Sequence, residues 1–253
     1  MAPLVTEAIV LHAFDYLETS RIIRLMTRDA GIQSVLARGA RNSRKRFGSA
    51  VDLFAQGLAE IHLRPNRELQ SLASFDVRKA RAPFALDVGR FTAGSMIAEL
   101  ALKTSSDEPA PGLFDAVEIA LDGVAAASPE ETVEAALAGA WYIIATLGFT
   151  PALDMCASCH SPLDPDARVT FSHSAGGALC ARCASRVTGS RVIPPAARSA
   201  LRGWVSGEDV SRTTPTEARA HQRLLREFVA EHLGLDRELR AYRVWEHGEW
   251  SAA

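Results

Sequence analysis

Four cysteines fall into two frames of equal length, Cys156-Ala157-Ser158-Cys159 and Cys180-Ala181-Arg182-Cys183, separated by residues 160–179. A CxxC turn points both thiols into the same space. A second such turn on a facing hairpin completes a tetrahedron at about 2.3 Å from a Zn²⁺ ion. The intervening VTFSHSAGGALC (169–180) reads as a strand, a glycine turn and a strand, the outline of a zinc ribbon. Four thiolates leave no open coordination position, so one zinc per chain is expected, with a structural role. Two disulfides, or free structural thiols, are the competing uses of these residues. The amino terminus, MAPLVTEAIVLHAF, has no basic segment ahead of its apolar residues, so the chain is expected in the cytoplasm, where paired cysteines more often hold metal. His160 and His173 are near in sequence, but the cysteines already fill the shell.

A second constellation is cationic. RGARNSRKRFGSA (38–50) gathers Arg38, Arg41, Arg44, Lys45 and Arg46, and no acid occurs between Asp29 and Asp52. Arg21 and Arg24 precede it, and Arg64 and Arg67 follow it. Arginine outnumbers lysine among these groups, which favours bidentate contacts to phosphate. Gly39, Ala40, Gly48 and Ser49 let backbone approach a ligand closely. These nine cations are the candidate nucleic-acid contacts, and they would hold a backbone with little sequence preference. Phe47 is a candidate base-stacking ring that could equally pack under the loop, and His12, Phe14 and Tyr16 are further candidates whose first expectation is a place in the core.

The formal net charge is −2, but it is unevenly spread. Residues 1–82 are basic, residues 83–153 strongly acidic, and the remainder nearly neutral. That asymmetry suggests a polyanion-binding head on a helical body. No Walker A loop, HExxH helix or GxSxG elbow occurs, and the His-x-Glu at His247 to Glu249 follows both cysteine pairs rather than preceding them as a zinc deaminase requires. Nothing in the sequence supports an enzyme. A protein scaffold, with the ribbon and acidic helices docking partners, is the alternative from another class.

These residues need elements to hold them. IVLHAF, RIIRLMT, QSVLAR, LAEIHL and LQSLASF are short β-branched runs with polar breaks. Arg28-Asp29-Ala30-Gly31 predicts a tight hairpin closed by glycine. Five strands in the first 80 residues suit a small barrel of the OB or the SH3-like kind. From Pro83 the texture becomes helical. Ser128-Pro129-Glu130-Glu131 and Thr214-Pro215-Thr216-Glu217 both predict helix starts with a capping residue and proline at the first helical position. After the second start, Leu224, Leu225, Phe228 and His232 share one face. The uncharged run Ala135 to Leu153 approaches membrane-spanning length, but its Gly139, Gly148 and Pro151 predict a buried helix running into a loop, so no membrane partner is expected.

YLETSRIIRLMT (16–27), LARGAR (36–41) with the basic run to Phe47-Gly48, and Leu53-Phe54 resemble the amino-terminal signature of the RecO family of recombination mediators. LGFTPAL (147–153), leading into Cys156 and Cys159, is similar to that family's entry into its zinc module. The family's usual Tyr-Gly-Glu reads Tyr16-Leu17-Glu18 here, which argues against a glycine-dependent turn at that point. The resemblance implies an α+β chain divided into an OB-fold barrel (1–80), a helical domain (81–153), a four-cysteine zinc ribbon (154–188) and a carboxy-terminal helical part (189–253) packed on the helical domain. It also implies a non-catalytic, nucleoid-associated role in DNA repair and recombination. That role comprises binding single- and double-stranded DNA, annealing strands, and acting with RecR to load recombinase onto DNA coated by single-strand-binding protein. The acidic C-terminal tail of that coat protein is the implied contact.

Overall fold

The structure is a computed structural model that describes residues 3–40, 52–65, 67–208, 213–235 and 239–248. Strands β1 (Leu4–Tyr16), β2 (Ser20–Thr27), β3 (Gly31–Ala37), β4 (Gln56–His62) and β5 (Leu69–Lys79) close into a barrel of order β1-β2-β3-β5-β4. Strand β4 pairs antiparallel with β1, which leaves β3 beside β5 in a short parallel ladder. This Greek-key closure is that of an OB fold, and it settles a choice that strand spacing left open.

Alternation explains how the barrel is filled. Ala8, Val10, Ile23, Leu25, Val35 and Ile61 point inward and are fully buried. Ile9, Leu11 and Met26 point outward, yet they are buried too, because they belong to the core of the helical body. Strand β1 is therefore covered on both faces, which is why its central residues form an unbroken apolar run. A bulge between Val10 and His12 then carries Leu11 and His12 to the same outer side. Beyond it the helical body no longer covers the strand. His12 and Phe14 face outward, and Tyr16 is exposed at the tip of the β1–β2 hairpin, so the core placement expected for all three is corrected.

The tip itself keeps a left-handed residue. Leu17 has φ 54° and is 75% exposed, so the turn has the backbone glycine would favour without having glycine. Gly31, which closes the β2–β3 hairpin with φ 58°, has a second constraint. A Cβ there would lie 2.4 Å from the carbonyl oxygen of Glu108, in the loop that also accepts from the Ile32 amide through Ser106.

Helices α1 (Pro83–Leu86), α2 (Val88–Thr104), α3 (Pro111–Ala126) and α4 (Thr132–Thr146) form the acidic body. Helix α4 contains the first part of the long uncharged run, up to Thr146, and is buried through Leu137, Trp141 and Ile144. Among the described residues, no helix is long and apolar enough to cross a membrane. The expected helix start at Ser128 comes one turn late. Glu131 does fold back onto the Ser128 amide (3.2 Å), but residues 129–131 form a turn and the helix begins at Thr132. Strands β6 (Val169–Ser172), β7 (Gly177–Leu179) and β8 (Arg191–Ile193), with the short helix α5 (Ala181–Ala184), make the ribbon. Helices α6 (Pro195–Ser206), α7 (Pro215–Leu233) and α8 (Arg240–His247) complete the chain. Helix α7 has the full capping box: Thr214 Oγ1 accepts from the Glu217 amide, and the Glu217 carboxylate accepts from the Thr214 amide.

Barrel and body are clamped by charge. Arg81 is buried and bonds Asp122 on α3 (2.7 Å), the Phe54 carbonyl (2.6 Å) and Gln56 (2.8 Å). Lys79 reaches Glu118 and Asp122, and Arg28 reaches Glu7 and Asp115 while lying 4.4 Å from the centre of the Phe114 ring. Much of the basic-head, acidic-middle asymmetry is thus satisfied internally.

Two outcomes follow from these local environments. Replacing Leu17 by glycine removes the left-handed penalty of an exposed side chain and should raise stability by about 1 kcal/mol, read as a higher thermal midpoint. His221 is buried edge-on against Trp204 at 4.7 Å, and burial lowers its pKa from 6.5 to about 4, with Glu217 opposing weakly. Its neutral form is the folded one, so stability is full above pH 6.5. About 3 kcal/mol of it is lost as pH falls towards 4. Urea melts across that window should show the decline, and His221→Phe should flatten it.

Candidate metal centre and nucleic-acid interface

The four cysteine sulfurs lie within 4.8 Å of one another. Cys156 is buried and the other three are half-buried. Each pair sits on a turn that the local sequence builds. In the first, the His160 amide donates to the Cys156 carbonyl (2.8 Å) and the Cys156 amide to the Ser161 carbonyl (2.8 Å), with His160 in a left-handed conformation at φ 56°. In the second, Cys180 caps α5 and its carbonyl accepts from Cys183 (3.0 Å). Gly177 brings the turns together, because a Cβ there would lie 2.3 Å from the Ala152 carbonyl oxygen. The segment carrying Ala152, which bridges to Gly177, could not otherwise approach.

The donor set suits a tetrahedral thiophilic ion. Cys159 Sγ and Cys180 Sγ are 3.8 Å apart, and sulfurs on 2.3 Å arms of a tetrahedron are separated by about 3.8 Å. Thiolate character is favoured in the first pair. Hydrogen bonds from Ser161 hold Cys159 down to about 5, and backbone amides of Cys180, Cys159 and Ser158 lower Cys156 despite its burial. Burial pushes Cys183 up to about 11, and a cation would favour its thiolate. His160 and His173 do not join the cluster. The His173 ring lies 3.0 Å from the Glu227 carboxylate, which also pairs with Arg191. The ribbon is anchored from behind by buried Arg198 on α6, which donates to the Asp164 carbonyl (2.7 Å), and by Arg202, which pairs with Asp154 (2.5 Å).

The cations separate into groups. The parallel ladder pairs Ser34 with Leu69, Val35 with Gln70 and Leu36 with Ser71, so the exit of β3 lies beside the entry of β5. Arg38 therefore leaves the barrel next to the turn carrying Arg64 and Arg67. These three line one depression of about 460 Å³ floored by Leu36 and Leu69, with Glu68 as its acid. Gln70 fixes that turn, accepting from the Arg64 amide (2.7 Å) and donating to the Arg67 carbonyl (2.6 Å). Among the described residues none of the three arginines is in an ion pair. Arg21 pairs with Asp15 (2.9 Å) across the β1–β2 hairpin, with both side chains exposed. Arg24 opens onto another groove, between β1 and helices α2 and α8. Arg41, Arg44, Lys45 and Arg46, with Phe47, lie outside the described residues. Sequence reasoning did not find the Arg28, Lys79 and Arg81 clamp or the turn-fixing Gln70. The acidic spacing of Asp115, Glu118 and Asp122, which places them on one side of α3, was the signal for the clamp.

An OB-type barrel with a cationic rim, a helical body and a four-cysteine ribbon compatible with a structural metal define an α+β architecture of barrel, helices and cysteine module. Two family models match in succession, Recombination protein O N terminal over residues 1–81 and Recombination protein O C terminal over residues 85–241. Curated relatives named DNA repair protein RecO include one from Anaeromyxobacter sp. (strain K), 35% identical over 89% of this chain and 90% of its own. Another, from Myxococcus xanthus (strain DK1622), is 33% identical over 90% of this chain and 91% of its own. The chain belongs to the RecO family.

Proposed function

We propose that the chain acts in DNA repair as a non-catalytic recombination mediator that binds single- and double-stranded DNA at the cationic rim of its barrel. The observation that carries this reading is the juxtaposition of Arg38, Arg64 and Arg67 by the β3–β5 ladder, with no internal acid pairing among the described residues. Guanidinium groups held this way displace counterions condensed on phosphate, and the exchange supplies the binding free energy. Arg41, Arg44, Lys45 and Arg46 follow directly in sequence and extend the same charge. Neutralising two strands at once lowers their mutual repulsion, which is the physical basis of annealing. In the cell the chain works with RecR and the acidic tail of single-strand-binding protein to load recombinase. The family membership and the names of the relatives support this assignment.

Zinc is the metal that the cysteines would hold. Its role would be structural: Cys156, Cys159, Cys180 and Cys183 would saturate it, tie the two turns together through it and leave no position for substrate.

Titrating a fluorescent single strand at several salt concentrations tests the first claim. Replacing Arg38, Arg64 and Arg67 by alanine should weaken binding and reduce the double-logarithmic salt slope by about 2, since each phosphate contact on a single strand contributes about 0.7. Unchanged affinity would remove the rim from the account. Metal analysis of purified protein should give one zinc per chain. Cys156→Ser should lower the thermal midpoint while the folded fraction keeps its DNA affinity.

A further inference from the structure

The rim and the Arg24 groove belong to one surface. Cross-strand partners point to the same face of a sheet, so the register traces two rows across the barrel. One row runs Phe14, Ile22, Leu36, Ser71, and the other His12, Arg24, Ser34, Leu69. At one end Leu36, Leu69 and Ser71 line the depression holding Arg38, Arg64 and Arg67, and at the other His12, Phe14 and Arg24 line the groove against the helices. Three strand-to-strand steps separate these ends, about 14 Å.

That groove is open, about 630 Å³, and its floor is apolar, with Leu11, Phe54 and Leu102. Two rings stand at its rim with large exposed areas, Phe14 at 45% and Phe91 at 42%. The exposed His12 ring is 5.8 Å from that of Phe14. Arg24, Lys103 and Arg240 bring cations from β2, α2 and α8. Among the described residues lining the groove the one acid, Glu99, is engaged at the start of α8, where its two oxygens accept from the backbone amides of Arg240 (2.8 Å) and Tyr242 (3.1 Å). Arg24 Nε is buried there without a hydrogen-bond partner. Open ring faces between cations match the alternation of bases and phosphates in an unpaired strand.

We propose that the single-strand track does not end on the barrel but continues into the groove between β1 and helices α2 and α8. There Phe14 and Phe91 stack bases while Arg24 and Arg240 face phosphates. This rests on the rim binding DNA, and it adds the helical body to the footprint. A duplex, whose bases are already stacked on each other, gains nothing from these rings. The groove therefore lengthens contact with single strands alone.

The test compares oligothymidines of about 5 and about 15 nucleotides, the range one OB barrel spans. The Phe14→Ala/Arg240→Gln protein should bind the longer strand about tenfold more weakly and the shorter one, seated on the rim, as the wild type does. Both residues are exposed, so the fold should survive, which the thermal midpoint checks. Independently, strands carrying 5-iodouracil should photocrosslink to wild-type peptides containing Phe14 or Phe91. Unchanged affinity for the longer strand with no such crosslink would overturn the extension while leaving the rim intact. Loss of binding in this variant for an acidic peptide ending in phenylalanine, with DNA unaffected, would overturn it in favour of a peptide groove. If the Arg38, Arg64 and Arg67 triple variant binds both lengths normally, the rim reading itself fails.

Discussion

Everything in the head is oriented by the pairing of Arg81 with Asp122. Arg81 is buried, and its guanidinium is shared among a carboxylate of α3, the Phe54 carbonyl and the Gln56 side chain. A buried charge of this kind is tolerable only with its partners in place, so the contact fixes barrel and body in one arrangement. Lys79 and Arg28 extend it along Asp115, Glu118 and Asp122. The acidic helix thereby draws one set of barrel cations inward and leaves another facing out. Had the helix met the opposite side of the barrel, the rim arginines would have been neutralised by it.

The second constraint is topological. A closed five-stranded barrel with β3 parallel to β5 must bring the end of one strand beside the start of the other. Arg38 and the turn bearing Arg64 and Arg67 are far apart in sequence and share a depression only through that closure. The same register carries the outer rows from β5 to β1, where the bulge at Leu11 turns His12 and Phe14 outward. A straight β1 would have continued the strict alternation and aimed these rings differently.

The ribbon is continuous with the helical core rather than appended to it. Phe171 on β6 lies 6.2 Å, centre to centre, from Phe228 on α7, and Phe228 lies 5.1 Å from Trp141 on α4. Val169, Ala178 and Ile193 join the same buried cluster. A metal held by the cysteine turns would therefore also brace one wall of the body.

Local chemistry made much of this visible in the residues alone. CxxC spacing brings thiols together whatever surrounds them, so the four-cysteine site was legible, as were the five strands, the Gly31 hairpin and the Thr214 capping box. These depend on neighbours within a few positions. Leu17 was not legible: its left-handed backbone is imposed by the pairing of β1 with β2, against the preference of the residue. Nor was the sorting of cations. The sequence alone determined that the head is rich in arginine and the middle rich in acid, while the tertiary structure decided which arginines face which. Coulomb interactions act through space rather than along the chain, and only the closed barrel and its docking on α3 place those charges at interacting distances.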